Sequence, residues 1–115
     1  MHNVEGRYEK RIPLEIPISL TLRENVAAVE KAATVNISSH GARLITTRLW
    51  QPGQEPQIIP SSGKFQAQAK VVYCQIISEE RFYIGIKFRA EFAKQWVEFL
   101  IEKLLQNVST FGVHG

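Results

Sequence analysis

Ile12, Leu14, Ile16, Ile18, Leu20 and Leu22 alternate with Pro13, Glu15, Pro17, Ser19, Thr21 and Arg23. A repeat of two places the first set on one face of a strand and the second set on the other. The two prolines put this strand at an edge or an entrance, because proline gives no N–H to a ladder. Glu24 and Asn25 predict a turn. A second strand is expected from about Ala27 through "ATVNIS", a third over "GARLITTRL" and a short fourth in "EPQIIP". "QPGQ" and "PSSGK" punctuate the chain on either side of the fourth. The fifth, "FQAQAKVVYCQII", turns Phe65, Ala67, Ala69, Val71 and Tyr73 inward. After the turn "SEER", the sixth, "FYIGIKF", directs Phe82, Ile84, Ile86 and Phe88 to the core.

From about Ala90 the period changes. Ala93, Trp96, Val97, Leu100 and Leu104 follow helical spacing, and Phe92, Phe99, Ile101 and Leu105 widen the apolar stripe. The helix is expected to run to about Asn107, with residues 108–115 as a tail. Six short strands and one helix predict a mainly β protein: a six-stranded antiparallel, Greek-key-like barrel with a C-terminal helix across an open end or face. The stripe is wide enough for part of it to face a partner. Residues 1–11 read as a flexible N-terminal arm and 12–107 as the folded domain.

The 115 residues fit one domain, large enough to bury a core without staples. Hydrophobic residues make up 44% and charged residues 22%, which fits a globular protein in water. No long apolar run predicts a membrane span, and "MHNVEGRYEKR" lacks the apolar core of a secretory signal, so a cytoplasmic protein is expected. The single cysteine, Cys74, excludes an internal disulfide and a cysteine-based zinc site; in "AKVVYC" it reads as a buried inert thiol. His2 and His114 lie near the ends, so the three histidines do not form a metal site. The net charge of +3 is compatible with an anionic partner but is weaker than the basic stripe of a nucleic-acid-binding domain.

Two polar constellations escape the periodicity. In "NISSHG", Asn36 and Ser38 share a face, Ile37 points to the core, and Gly41 permits positive φ or the close approach of another group. An amide, a hydroxyl and bare backbone suit the edge of a planar polar group; the same residue types equally form an ordinary turn. In "GRYEKRIP", Arg7 and Arg11 each offer a planar fork of donors that grips phosphate, carboxylate or the O6/N7 edge of guanine. Such a pair also occurs in plain solvated termini.

In combination, RxxxR at Arg7–Arg11, then "IPLEIPI", then NxSxxG at Asn36–Gly41 leading into "ARL", and finally "YIGIKF" before a helix, resemble the PilZ domain family from about Arg7 to Leu105. The resemblance implies a bacterial receptor for cyclic di-GMP, a second messenger with two guanines and two phosphodiesters, and no catalytic cofactor. It implies that Arg7 and Arg11 bind guanine edges and phosphates as the arm wraps the ligand. Asn36 and Ser38 would hydrogen-bond a guanine edge or phosphate, and Gly41 would leave room for the ligand. Lys10 and His40 are possible additional contacts. Asn36 stands where many relatives carry Asp, which removes a negative charge facing guanine donors. A single receptor domain also implies an effector protein, in motility, exopolysaccharide or transcription machinery, with neither nucleic-acid binding nor membrane insertion.

Three other readings compete. An adaptor would use the same fold for protein contacts without nucleotide. An oligonucleotide-binding barrel would display aromatics on an outer strand face with a basic groove, whereas the aromatics here fall mostly inward. An enzyme finds no Ser–His–acid set, acidic pair or phosphate-cradling glycine loop. Trp50 and Trp96 are expected in the core or at a barrel end. Arg43, Arg48, Arg81, Lys87 and Arg89 read as solvated strand positions, which leaves open whether any extends the ligand site.

Overall fold

The computed structural model describes the backbone of residues 10–22, 25–62 and 65–114, and the side chains of these except 25–28 and 107–114. Arg7, the rest of the arm before Lys10, and Glu24 of the predicted turn lie outside the described residues. The strands are β1 (Ile12–Pro13), β2 (Pro17–Leu22), β3 (Asn25–Ile37), β4 (Gly41–Thr46), β5 (Gln57–Pro60), β6 (Ala67–Ser78) and β7 (Arg81–Phe88), followed by the helix α1 (Ala90–His114). All pairings are antiparallel. The order β3–β2–β5–β6–β7–β4 closes through a β3–β4 pairing into a six-stranded barrel. The meander β5–β6–β7 has β4 beside β7, and a long connection runs from β4 to β5, which is the Greek-key arrangement.

The strand predicted over 12–23 is broken in two. Pro17 has no N–H, and the register against β3 slips by one between Pro13↔Asn36 and Pro17↔Ala33. Thr34 fills the gap: its buried hydroxyl accepts from Ile16 N at 2.7 Å and donates to Leu14 O at 2.5 Å. A side chain here replaces the missing rungs of the ladder, so the polar backbone of the break stays satisfied. Asn25, expected in a turn, is the first residue of β3.

Ile18, Leu20, Ile37, Leu44, Ile58, Val71 and Ile84 fill the barrel, each at most 1% exposed. One end is closed by aromatic rings under α1. Trp96 lies 4.5 Å from Phe88 and 6.1 Å from Phe65, and Phe65 stacks on Phe99 at 5.6 Å, within the range of favourable ring pairs. Ile101 and Leu105 stay exposed on the helix. Helical backbone continues to His114, over the residues predicted as a tail.

Tyr73 corrects a sequence expectation. A bulge between Val71 and Tyr73 inserts Val72 and reverses the alternation, so Tyr73 turns outward and Cys74 packs against the core, only partly buried. The Tyr73 ring lies over Gly85, where an added Cβ would come within 2.1 Å of it. Trp50 is buried at a barrel end, as expected, and its indole N–H donates to Glu30 Oε1 at 2.9 Å. The buried Glu30 carboxylate also accepts from Thr47 N at 2.5 Å and Arg48 N at 3.2 Å, which ties the loop after β4 to β3.

Candidate functional site

The short strand β1 decides where the arm enters. Ile12 pairs with Ile37 and Pro13 with Asn36, so Arg11 emerges beside the end of β3. There its guanidinium donates to Asn36 Oδ1 at 2.9 Å. Two residues 25 apart in sequence, one from each polar motif, are thus joined by a bond that periodicity could not foresee.

The segment after Asn36 is the β3–β4 hairpin. Ser38 N donates to Gly41 O at 2.9 Å, and the Ser38 hydroxyl reaches the same carbonyl at 3.4 Å. The turn reading therefore holds for residues 38–40. Ile37 points into the core, as predicted, at 1% exposure. Gly41 has no positive φ; its role is close approach. A Cβ at this position would lie 2.0 Å from Ile86 O on β7, so β4 and β7 can pair here only with glycine. Gly41→Ala is expected to destabilise the barrel by about 1–3 kcal/mol through overpacking, seen as a lower denaturation midpoint with an unchanged slope.

Arg11, Ser38, His40, Gly41, Val72, Ile86 and Lys87 line a groove of about 280 Å³ on the barrel's outer surface. Among the described residues, two cationic side chains and no acid border it, so an anionic ligand would meet favourable charge there. Of the five basic residues left open by the sequence, Lys87 lies in this groove. Arg89 is engaged by Gln68 Oε1 at 2.9 Å and faces Glu91 at 3.7 Å. Arg43, which pairs with Asn36 across the strands, donates to the Tyr73 hydroxyl at 2.8 Å and sits 5.1 Å from the Tyr83 ring centroid. Arg48 and Arg81 are exposed and do not line the groove.

A second groove, of about 380 Å³ and mostly apolar, lies between β1 and α1. Lys10, Ile12, Ile37, Val97, Ile101 and Leu104 are among its walls, which places Lys10 here and not in the cationic groove. Ser38 borders both grooves. Its carbonyl accepts the Trp96 indole N–H at 2.8 Å, so the hairpin is tied directly to the helix. Among the described residues, no group of His, Cys, Asp and Glu could hold a metal ion, and no helix is long and apolar enough to cross a membrane.

The fold is similar to that of two solved structures. The Bacillus subtilis Inhibitor of motility (MotI/DgrA) gives a TM-score of 0.59 at 15% identity, covering 87% of this chain and 52% of that one. K. pneumonia MrkH in its apo state gives 0.62 at 13% identity, covering 90% and 53%. The chain therefore spans about half the length of each, and at these identities the likeness concerns the fold. No curated protein matches the sequence. The model of the PilZ domain matches residues 5–104, which include both polar motifs, the whole barrel and the barrel-contacting turns of α1. The chain belongs to the PilZ domain family.

Proposed function

We infer that this PilZ domain is a non-catalytic receptor for cyclic di-GMP that relays the signal to a partner protein. The observation that carries the reading is the Arg11–Asn36 bond, which brings the two motifs to one cationic groove. Arg7 and Arg11 supply bidentate donors to phosphate and to the guanine O6/N7 edge. Asn36 and Ser38 supply short polar contacts at the hairpin, with His40 and Lys87 along the groove. Gly41 keeps the groove floor free of a side chain at the point where β7 approaches.

The relay would run through Ser38. Ligand on one side of the hairpin changes the groove on its other side, because Trp96 holds the same residue to α1. The apolar groove between β1 and α1 also supports the second reading, an adaptor that docks a protein without nucleotide. Backbone amide NMR during a cyclic di-GMP titration separates the two. The receptor reading predicts saturable shifts at Arg11, Asn36, Ser38, His40 and Gly41, together with the Trp96 indole N–H. An adaptor predicts a spectrum unchanged by the nucleotide.

A further inference from the structure

The distal half of β6 has a free edge. On the side facing β5, β6 pairs only through Ala67 and Gln68. The loop before β5 then continues the edge as far as Val71, through Gly53 N to Val71 O and Val71 N to Gln54 O, both at 2.8 Å. Beyond Val71, no backbone hydrogen bond closes this edge among the described residues. The other side of β6 remains paired with β7 to the Ser78↔Arg81 rung, so the strand is held extended and its free side is presented ready-made.

The side chains of this stretch match that exposure. Val72, Ile76 and Ile77 are 53%, 71% and 43% exposed. The run "VVYCQIIS" holds no charge, proline or glycine, the devices by which proteins usually blunt an open edge. Charge appears only at its two ends, with Lys70 at one and Glu79 and Glu80 at the other, all exposed.

We propose that this edge pairs with the same edge of a second copy of the chain, antiparallel and about a two-fold axis near Cys74 and Gln75. The shared ladder spans the open stretch Val72–Ser78, since Gly53 and Gln54 close the edge at Val71. An antiparallel two-fold then sets Lys70 of each copy just beyond one end of that ladder, on the side of Glu79–Glu80 of the other, so opposite charges flank both ends. It also places the apolar residues of the two edges against each other and gives the unmet N–H and C=O groups partners. A parallel pairing would align like charges at both ends. The barrel of one copy thus continues into that of the other as a single sheet. This inference does not depend on the nucleotide reading.

Sedimentation equilibrium on the full chain, without nucleotide, tests it by charge exchange. The unmodified chain is expected to dimerise in the micromolar range. Lys70→Glu alone, and Glu79→Lys/Glu80→Lys alone, each place like charges at both ends and are expected to raise the dissociation constant at least about tenfold. An equimolar mixture of the two variants restores every opposite pair and is expected to form heterodimers about as tight as the unmodified dimer. Restoration in the mixture also shows that both variants are folded. A chain that stays monomeric at every concentration would overturn the proposal and leave the edge to an extended segment of another protein. Variants that dimerise as well as the unmodified chain, or a mixture that stays monomeric, would overturn it too.

Discussion

Arg11→Ala is expected to weaken cyclic di-GMP binding by roughly tenfold to a hundredfold while leaving the fold intact. Each charge-assisted hydrogen bond contributes about 1.5–3 kcal/mol, and 1.4 kcal/mol corresponds to a factor of ten. Arg11 is exposed, and among the described residues its hydrogen-bond partner is Asn36, so its removal should change stability by no more than about 0.5 kcal/mol. The Asn36 bond has a second consequence. It holds the guanidinium at the groove before any ligand arrives, so less side-chain freedom is lost on binding. Arg11→Lys keeps the charge but loses the planar fork, and should recover only part of the affinity. The Arg7→Ala/Arg11→Ala pair should abolish measurable binding. Calorimetric titrations of these chains, each with a thermal melt as a folding control, supply the comparison. Undiminished affinity in Arg11→Ala would remove this residue from the site.

Trp96→Ala is expected to cost about 3–5 kcal/mol, the range for deleting a buried aromatic side chain. Trp96 is 1% exposed and packs against Phe65, Phe88 and Phe99 at the closed end of the barrel. A domain with total stability of about 5–15 kcal/mol would lose a large part of it, and Tm should fall by about 10 °C or more. Trp96→Phe is the more informative change. It keeps an aromatic ring in the cluster but deletes the N–H, leaving the buried Ser38 carbonyl without that partner at a cost of about 1–3 kcal/mol. Trp96 does not line the cationic groove. A loss of nucleotide affinity in Trp96→Phe, measured where the variant remains folded, would therefore report coupling through the hairpin. Equal affinity in the two chains would show that α1 and the ligand site act independently.

Where the sequence could be read, two kinds of signal made it so. Period-two alternation marked the barrel strands because each has one face in the core, and the change to helical spacing at Ala90 marked α1. Local residue type marked Arg11, Asn36, Ser38 and Gly41. What escaped was set by pairs distant in the chain. The break between β1 and β2 depends on the Thr34 hydroxyl, 18 to 20 residues further along. Tyr73 faces outward because one extra residue, Val72, enters the ladder, and a bulge leaves no mark in a pattern of apolar and polar positions. Gly41 is required by Ile86 on another strand, and Ser38 is held by Trp96, 58 residues away. Glu30 carries no local mark either: it stands beside Lys31 in a strand with several polar residues, and its burial is set by Trp50, 20 residues away.

Calorimetric titration of the intact chain with cyclic di-GMP, with GTP in a parallel titration, tests the receptor reading most directly. Saturable binding of cyclic di-GMP and none of GTP is the result the receptor reading predicts, since that reading assigns the two guanines and two phosphodiesters of the ligand to the joined motifs. The absence of binding at high micromolar ligand, in a chain shown to be folded, would contradict it and leave the groove between β1 and α1 as the functional surface.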